Sequence, residues 1–402
     1  MTRFPDQTIA NPAVVQPRVL FVDHASVLGG AELSLLDLAE AYKSTSQVLL
    51  FSEGPFSDRL RDAGIPIQVL TAPPALLDVR STGGLSTVKV IPALWHMAQR
   101  LRQHSQGFDI IHANSQKAFV VAALARWLGA PPVVWHLRDI VTADHFSAVN
   151  RRLAITLANS QASRVIVNSQ ATGDAFVAAG GDSSLVELVY NGISSVPFDA
   201  IANHQGQQVR SKLGIPANVP LVGSFSRLSY WKGQHVLLKA VKPLANVHVL
   251  LAGKALFGEE DYVARLKALA ADPELADRIH WTGFRSDVPA LMSACTIVAH
   301  TSTEPEPFGR VIVEGQLAQR PVIATAAGGA AEIIQPGETG LLVPPNNPEV
   351  LRDAIQYIEV HPNQAERLAK SGYHHAKMEF SLDALLDNAD KVLTDVLKKS
   401  ET

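Results

Sequence analysis

The chain has 402 residues, of which 47% are apolar and 18% are charged, so we expect a globular protein with two domains. A formal net charge of −3 argues against a nucleic-acid partner. No apolar run reaches the roughly 18 residues that span a bilayer, and residues 1–17, which lack a signal-peptide core, are predicted to form a disordered tail. The single cysteine, Cys295, indicates a reducing cytoplasm, and we interpret it as a core residue rather than a catalytic thiol.

The first half of the chain alternates short apolar runs with helical periods from Arg18 onward. We predict strands within RVLFVDH, SQVLLF, FDIIHAN, PPVVWHL, SRVIVNS and SLVELVY. Continuous apolar strands between helices are typical of a parallel sheet that is covered on both faces. Residues 18–195 are therefore predicted to form a doubly wound, Rossmann-like α/β domain.

The second half repeats this pattern after a polar linker, NGISSVPFDAIANHQGQQ. Strands are predicted within PLVGSFS, VHVLLAG, RIHWTG, CTIVAHT and RPVIATAA, which gives a second doubly wound domain at residues 206–380. Residues 381–402 show helical spacing of Leu and Val, and we predict a helix that packs back on the first domain. Two such domains would face each other across a cleft, with ligands beyond the carboxyl ends of the strands.

Several residues that follow strands of the first domain are candidates for this cleft. Gly29 and Gly30 form a strand-to-helix turn in which backbone N–H groups can approach an anion, although a plain tight turn explains the pair equally well. His136 ends the strand in PPVVWHL and is predicted to face the cleft. His112 ends another strand, and for both histidines a purely structural role stays open.

The strand ends of the second domain carry charged residues. Arg227 and Lys232 precede a helix start, and at an effective dielectric constant near 20 each cation about 4 Å from a phosphate charge contributes on the order of 4 kcal/mol before desolvation. Glu306 and Glu314 bracket a loop-to-helix junction in EPEPFGRVIVEG. Cations suit a diphosphate and carboxylates accept hydrogen bonds from hydroxyl groups, so the set indicates a nucleotide sugar.

The chain resembles the retaining GT-B glycosyltransferases of family 4 over nearly its whole length. The resemblance lies in NGI at 191–193, SRLSYWKG at 226–233, GFRSDVPALMSACTIVAHTS at 283–302, EPFGRVIVEG at 306–315 and PVIATAAGGAAEII at 321–334. The fold that this resemblance implies is GT-B, in which two Rossmann-like domains face a cleft. The second domain would bind the donor and the first domain the acceptor.

The resemblance also implies roles for particular residues. Glu314 would bind the ribose hydroxyls of the donor, and Glu306 would contact the transferred sugar. Arg227 and Lys232 would neutralise the diphosphate leaving group.

Further roles that the resemblance implies concern the backbone and the first domain. The backbone amides after Phe308, at Gly309 and Arg310, would add donors at a helix N-terminus, and Phe308 itself is counted among the donor-binding residues. His136 would lie near the sugar as a catalytic residue, and the backbone at Gly30 would close over the phosphate.

The implied reaction transfers a hexose from a nucleoside diphosphate with retention at the anomeric carbon. A front-face route is expected, in which the leaving phosphate helps to deprotonate the acceptor and the two cations stabilise the developing charge. The chain contains no D-x-D sequence, so we expect no divalent metal and no other cofactor. The donor is expected to be a uridine diphosphate sugar, and glucose, galactose and N-acetylated hexosamines stay open.

Three other functions compete with this interpretation. A nicotinamide dehydrogenase is disfavoured because no G-x-G-x-x-G follows a predicted strand. A nucleotide-sugar epimerase of the same fold and a non-catalytic nucleotide-sugar-binding module stay open as alternatives.

The acceptor is expected to be a saccharide or a lipid-linked molecule, bound by loops of the first domain such as residues 71–90. The helix that follows carries Trp95, His96, Arg100 and Arg102, and RRLAI at 151–155 adds two cations. Such a mixture occurs both at membrane surfaces and on ordinary solvated faces. A cytoplasmic protein is expected, and peripheral contact with the inner face of the membrane stays open.

Overall fold

The computed structural model describes residues 16–24, 27–77, 90–142, 146–202, 204–256 and 258–400. Most of the predicted N-terminal tail, and residues 78–89 of the predicted acceptor loop, lie outside these ranges. Within the described parts of the chain, none of the helices combines the length and apolar character needed to span a bilayer.

The first domain is built on a seven-stranded sheet in which all paired strands are parallel. Its strands are β1 (Val19–Asp23), β2 (Ser46–Leu50), β3 (Ile67–Val69), β4 (Ile110–Ala113), β5 (Val133–Leu137), β6 (Ala162–Val167) and β7 (Val186–Leu188). The order across the sheet is β3-β2-β1-β4-β5-β6-β7. Every residue of β1 and β5 is buried, as a sheet covered on both faces requires.

Helices cover both faces of this sheet. They are α1 (Gly30–Ala41), α2 (Pro55–Asp62), α3 (Pro74–Leu77), α4 (Val90–His104), α5 (Gln116–Trp127), α6 (Ala148–Gln161) and α7 (Gln170–Ala178). Helices α4, α5 and α6 pack on one face in a core that includes Trp135 and Phe119. The opposite face packs against α1, α2 and the C-terminal helix α17 (Leu382–Ser400), whose Leu385, Val392 and Val396 join the core around Phe21.

The second domain repeats the architecture with six parallel strands. They are β8 (Leu221–Phe225), β9 (His248–Ala252), β10 (Ile279–Gly283), β11 (Ile297–His300), β12 (Val322–Thr325) and β13 (Leu341–Val343), in the order β10-β9-β8-β11-β12-β13. The surrounding helices are α9 (Gln205–Lys212), α10 (Gln234–Val241), α11 (Glu260–Ala270), α12 (Val288–Ala294), α13 (Arg310–Leu317), α14 (Ala330–Ile333), α15 (Pro348–Val360) and α16 (Pro362–Glu379). The predicted pair of doubly wound sheets is therefore confirmed.

The segment between the domains is predicted from the sequence to be an irregular linker, but part of it is helical. It contains the short helix α8 (Val196–Asp199), which has a proline in its first turn, where the missing N–H costs nothing. The chain returns from the second domain to the first next to this segment, since Ile193 forms a β-bridge with Ser381, the residue before α17.

Each sheet has one point at which the chain reverses its direction of winding. These points lie between β1 and β4 in the first sheet and between β8 and β11 in the second. In doubly wound sheets the crevice at such a point, outside the carboxyl ends of the strands, is the usual ligand site. The residues after β1, β8 and β11 are therefore those on which function should concentrate.

Candidate active site

A lysine and a glutamate meet at the switch point of the second sheet. Lys232, in a 3-10 turn after β8, places its Nζ 2.6 and 2.8 Å from the two carboxylate oxygens of Glu306, in the loop after β11. Only 14% and 12% of the two side-chain surfaces are exposed. Ser302 donates to the same carboxylate at 2.8 Å, and His300 Nε2 lies 3.2 Å from it.

Burial and pairing act in opposite directions on these two groups. Burial favours the neutral forms, and it holds the pKa of Lys232 below its ordinary value in spite of Glu306. For Glu306 burial is outweighed by the Lys232 charge and the His300 contact, which hold its pKa well below the usual range. The direct bonds from Nζ to both oxygens lead us to treat both groups as ionised at neutral pH.

Two glycines give this loop pair its shape. Gly233 has φ 69°, and a Cβ there would lie 1.9 Å from the carbonyl oxygen of Thr301, so the turn after Lys232 presses against the end of β11. Gly309 has φ 107° and precedes the first turn of α13. Only glycine adopts these conformations without strain at such close approach, which explains the KG and FG dipeptides.

The second cation of the motif shares an aromatic ring with Lys232. Lys232 Nζ lies 4.0 Å from the centre of the Trp231 ring, and the Arg227 guanidinium lies 5.2 Å from it. Cation–π attraction offsets part of the repulsion between two neighbouring cations. The structure thus brings Arg227, Lys232 and Glu306 together, and their predicted roles in donor binding stay predictions.

Across the cleft, the glycine turn of the first domain faces the start of α13. A Cβ on the exposed Gly30 would lie 3.4 Å from Cδ of Arg310. Arg310 also lies 3.6 Å from Asp37 in α1 and 3.8 Å from Glu314 in its own helix. Burial raises the pKa of Glu314, with Arg310 acting against it.

The amide of Gly29 is already occupied. It donates to Glu32 Oε2 at 2.9 Å, so of the two turn glycines Gly30 is the one that can receive an anion. Burial, together with the Asp23 charge, raises the pKa of Glu32 to about 7. This carboxyl group can therefore exchange a proton near neutral pH beside the predicted phosphate position.

A buried arginine lies beneath the same turn. Arg138, one residue beyond β5, donates to Asn114, Ser34 and Asn191, all of which are buried. Burial and the charge of Arg310 lower the pKa of Arg138 to about 9, which leaves it cationic at neutral pH. Its remaining terminal nitrogen has no hydrogen-bond partner in the part of the chain that the structure describes.

His136 differs from its expected position in one respect. It lies near the end of β5, but its side chain is fully buried rather than exposed in the open cleft. Its Nδ1 is 3.2 Å from Nε2 of His112, and its own Nε2 has no hydrogen-bond partner among the described residues. Burial and the nearby Arg138 lower the pKa of both histidines, which are neutral at physiological pH. The predicted contact of His136 with sugar stays a prediction and requires that the donor reach Nε2.

The ring of Phe308 is buried and packs against Tyr190 and Phe380. Its predicted part in donor binding stays a prediction. Cys295 is also buried, and burial raises the pKa of its thiol to about 12, as expected for a core residue.

The domains are joined by a carboxylate close to this site. Glu332, in α14, accepts hydrogen bonds from the backbone amides of Gln170 and Ala171 at 2.8 Å, and from the Tyr190 hydroxyl at 3.1 Å. It therefore caps the N-terminus of α7, where a negative charge is favoured.

Sequence reasoning missed several members of the site. His300 ends β11, so the strand-end rule that identified His136 would also have found it. Phe284, which follows β10 two strands away from β8, is a candidate on exposure alone: it is 57% exposed and lies 5.5 Å from Nζ of Lys254, and no contact joins it to Lys232 or Glu306 in the described parts of the chain. Asp37 and Arg138 gave no local signal, because their partners lie 24 or more residues away in sequence.

Two doubly wound domains, each built on a parallel sheet and facing the other across a cleft, define the GT-B class of fold. Two family descriptions match the chain: "Glycosyl transferase 4-like domain" at residues 29–192 and "Glycosyl transferases group 1" at residues 206–375.

Individual relatives agree with these matches. The crystal structure of Anabaena HepE in complex with UDP and glucose is 39% identical, with a TM-score of 0.86, and the match covers 94% of this chain and 99% of that chain. D-inositol 3-phosphate glycosyltransferase of Corynebacterium urealyticum is 27% identical over 68% of this chain and 69% of that protein. The lipopolysaccharide core biosynthesis glycosyltransferase LpsE of Rhizobium meliloti is 33% identical over 44% of this chain and 51% of that protein.

The chain belongs to the glycosyl transferases group 1, the family-4-like glycosyltransferases of GT-B fold.

Proposed function

We propose that the protein is a retaining, metal-independent hexosyltransferase that uses a UDP-hexose. The observation that carries the proposal is the cluster of Lys232, Glu306, His300 and Ser302 at the switch point of the second sheet. A crystal structure of HepE contains UDP-glucose, at 38% identity over 94% of this chain, which favours UDP-glucose or a related sugar as donor.

Each charged group has a place in this proposal. Lys232 and Arg227 bind the diphosphate and stabilise the charge that builds on it as the bond to the sugar breaks. Glu314 accepts hydrogen bonds from the ribose hydroxyls. The backbone amides at Gly309 and Arg310, together with Gly30 from the first domain, close on the phosphates.

Glu306 is suited to holding the sugar rather than to attacking it. Its carboxylate bonds to Lys232 and Ser302 and contacts His300, and its pKa is held low, so it accepts hydrogen bonds as a stable anion. A nucleophile for double displacement would need a free oxygen facing the anomeric carbon and a second carboxyl group about 5 Å away. The arrangement therefore supports a front-face transfer, in which the leaving phosphate takes the acceptor's proton.

The acceptor is proposed to be a saccharide or a lipid-linked glycan precursor, in polysaccharide or glycoconjugate synthesis. The protein is proposed to act in the cytoplasm, and a lipid-linked acceptor would bring it into peripheral contact with the inner face of the membrane.

Thermal-shift screening against UDP-, GDP- and ADP-sugars tests the donor. A ligand at about 100 times its dissociation constant adds roughly 2.7 kcal/mol of stability. We expect a shift with UDP-sugars that Glu314→Ala abolishes. If no nucleotide sugar shifts the melting temperature, the donor proposal is wrong.

Turnover assays test the reaction. We expect transfer with retained anomeric configuration, unaffected by a chelator. Complete loss on chelation with rescue by manganese would contradict metal independence. Epimerised donor in the absence of acceptor would identify an epimerase, and donor binding without turnover would identify a binding module.

A further inference from the structure

One face of the first domain has an unusual charge pattern. Helices α4, α5 and α6 pack side by side on one face of the sheet. Their 41 residues contain no aspartate or glutamate but carry six cations: Arg100, Arg102, Lys117, Arg126, Arg151 and Arg152. We name the outward side of these three helices the basic face.

The opposite side of the same domain has the reverse composition. Helices α1, α2 and α17 contain nine carboxylates against five cations, Arg59, Arg61, Lys391, Lys398 and Lys399, so their balance is negative but mixed. The first domain is therefore electrically polarised across its sheet. The aspartates nearest to the basic face in sequence are Asp109, which bonds to Arg18, and Asp139 and Asp144 in the connection before α6.

The basic face also exposes large apolar side chains. Trp95 in α4 is 44% exposed, Trp127 at the end of α5 is 63% exposed, and Ile91 is 70% exposed. Tryptophan combines an apolar ring with a polar N–H and is favoured at membrane interfaces. An ordinary solvated face has no need of two exposed tryptophans among cations.

The helix directions connect this face with the cleft. In a parallel sheet the crossover helices run opposite to the strands, so the first turns of α4, α5 and α6 lie at the carboxyl edge. Lys117, Arg151 and Arg152 are in or near these first turns, whereas Arg102 and Arg126 lie at the far ends. A planar anionic surface laid on the face would therefore reach the rim of the cleft.

We propose that the basic face docks the protein on an anionic lipid bilayer. Phosphate headgroups would pair with the arginines, and the tryptophan rings would enter the interfacial layer. This inference extends the membrane contact of the proposed function, and it specifies the surface and the lipid charge.

Vesicle flotation without donor or acceptor tests the proposal with the full chain. We expect binding to phosphatidylcholine vesicles that contain phosphatidylglycerol, weakening with salt, and no binding to phosphatidylcholine alone. Each cation near such a surface is worth about fivefold in affinity, so Arg102→Gln with Arg126→Gln should weaken binding about 25-fold. Lys398→Gln with Lys399→Gln removes the same charge from α17 on the opposite side and should change nothing.

The tryptophans provide a second readout. We expect the emission of the wild type to shift to shorter wavelength on anionic vesicles, and Trp95→Ala with Trp127→Ala to lose most of that shift and to weaken binding. The UDP-sugar thermal shift checks that each variant is folded.

Three outcomes would overturn the proposal. They are no binding to anionic vesicles, an equal loss in the α17 control, and binding to a soluble acidic polysaccharide but not to vesicles. None of these bears on sugar transfer, which is assayed separately with soluble acceptor.

Discussion

Replacing Lys232 with methionine tests whether the Lys232–Glu306 pair is a tightly coupled buried unit. The variant leaves the Glu306 carboxylate, with 12% of its side chain exposed, to Ser302 and His300 alone. Removing one partner of a buried ion pair leaves the other charge uncompensated, so we expect Lys232→Met to lower the free energy of unfolding by about 3 kcal/mol. Glu306→Gln should cost less, about 2 kcal/mol, because Lys232 already has a lowered pKa and can release its proton.

The double variant separates coupling from simple loss. Lys232→Met with Glu306→Gln leaves no unpaired charge, so we expect the double variant to lose about 3 kcal/mol of folding stability. The two single losses would add to about 5 kcal/mol, so the difference is a coupling energy of about 2 kcal/mol between the two side chains. For a domain of this size about 3 kcal/mol corresponds to a fall of roughly 6–12 °C in melting temperature. Thermal unfolding of the four proteins at pH 7 measures the cycle. Additive losses, or a fall below about 1 °C in Lys232→Met, would refute the reasoning.

Acidification gives the same pair a second test. The pKa of Glu306 is lowered in the folded state, so its stabilisation is complete above the ordinary glutamate pKa of about 4.3 and is lost as the pH falls. In Lys232→Met the buried Glu306 should titrate above its ordinary pKa and regain stability on protonation. The difference in melting temperature between wild type and variant should therefore narrow from pH 7 to pH 4.

Three further substitutions test other parts of the site. Because the pKa of Glu32 is raised in the folded state, the wild type loses stability as the pH rises from about 4.5 to about 7. Glu32→Gln should therefore be more stable than the wild type at pH 8, by about 3 kcal/mol at most in the free energy of unfolding. At pH 4 the two proteins should be equally stable, and thermal melts at both pH values measure the difference. Phe284→Ala tests whether the exposed ring after β10 stacks on the donor base: in that case the donor KM rises about tenfold with little change in kcat, and Phe284→Tyr, which keeps the ring, leaves KM unchanged. An unchanged KM in Phe284→Ala would exclude this role. Glu332→Ala removes the carboxylate that caps α7 from the other domain, so it should lower the free energy of unfolding by about 1 kcal/mol. It should also enlarge the radius of gyration measured by small-angle scattering, and an unchanged radius would mean that other contacts hold the domains together.

The fold was accessible from sequence because its determinants are local. Apolar runs such as VLFV and VVW are buried on both faces, and the KG and FG dipeptides mark turns that need positive φ. These patterns act within about ten residues, which is the range over which periodicity and turn chemistry can be interpreted.

The partners within the site were less accessible, because they come from distant segments. The Glu306 motif could be recognised, but its contact with His300 depends on the path of the loop after β11. Asp37 meets Arg310 only when the two domains are side by side, and Arg138 meets Ser34 and Asn191 only in the folded first domain. Periodicity carries no information on such pairs.

The contact between the domains is physically continuous with the donor loop. Gly329 donates its amide to the carbonyl oxygen of Glu306 at 2.8 Å, and three residues later Glu332 caps α7 of the first domain. A Cβ on Gly329 would lie 2.6 Å from the carbonyl oxygen of Pro307 and 3.0 Å from Cβ of Ser169, so this loop is wedged between the two domains. A movement of the first domain relative to the second must therefore act on the backbone that carries Glu306. Closure of the cleft and placement of the Glu306 carboxylate, which we propose to hold the sugar, are therefore coupled through this loop.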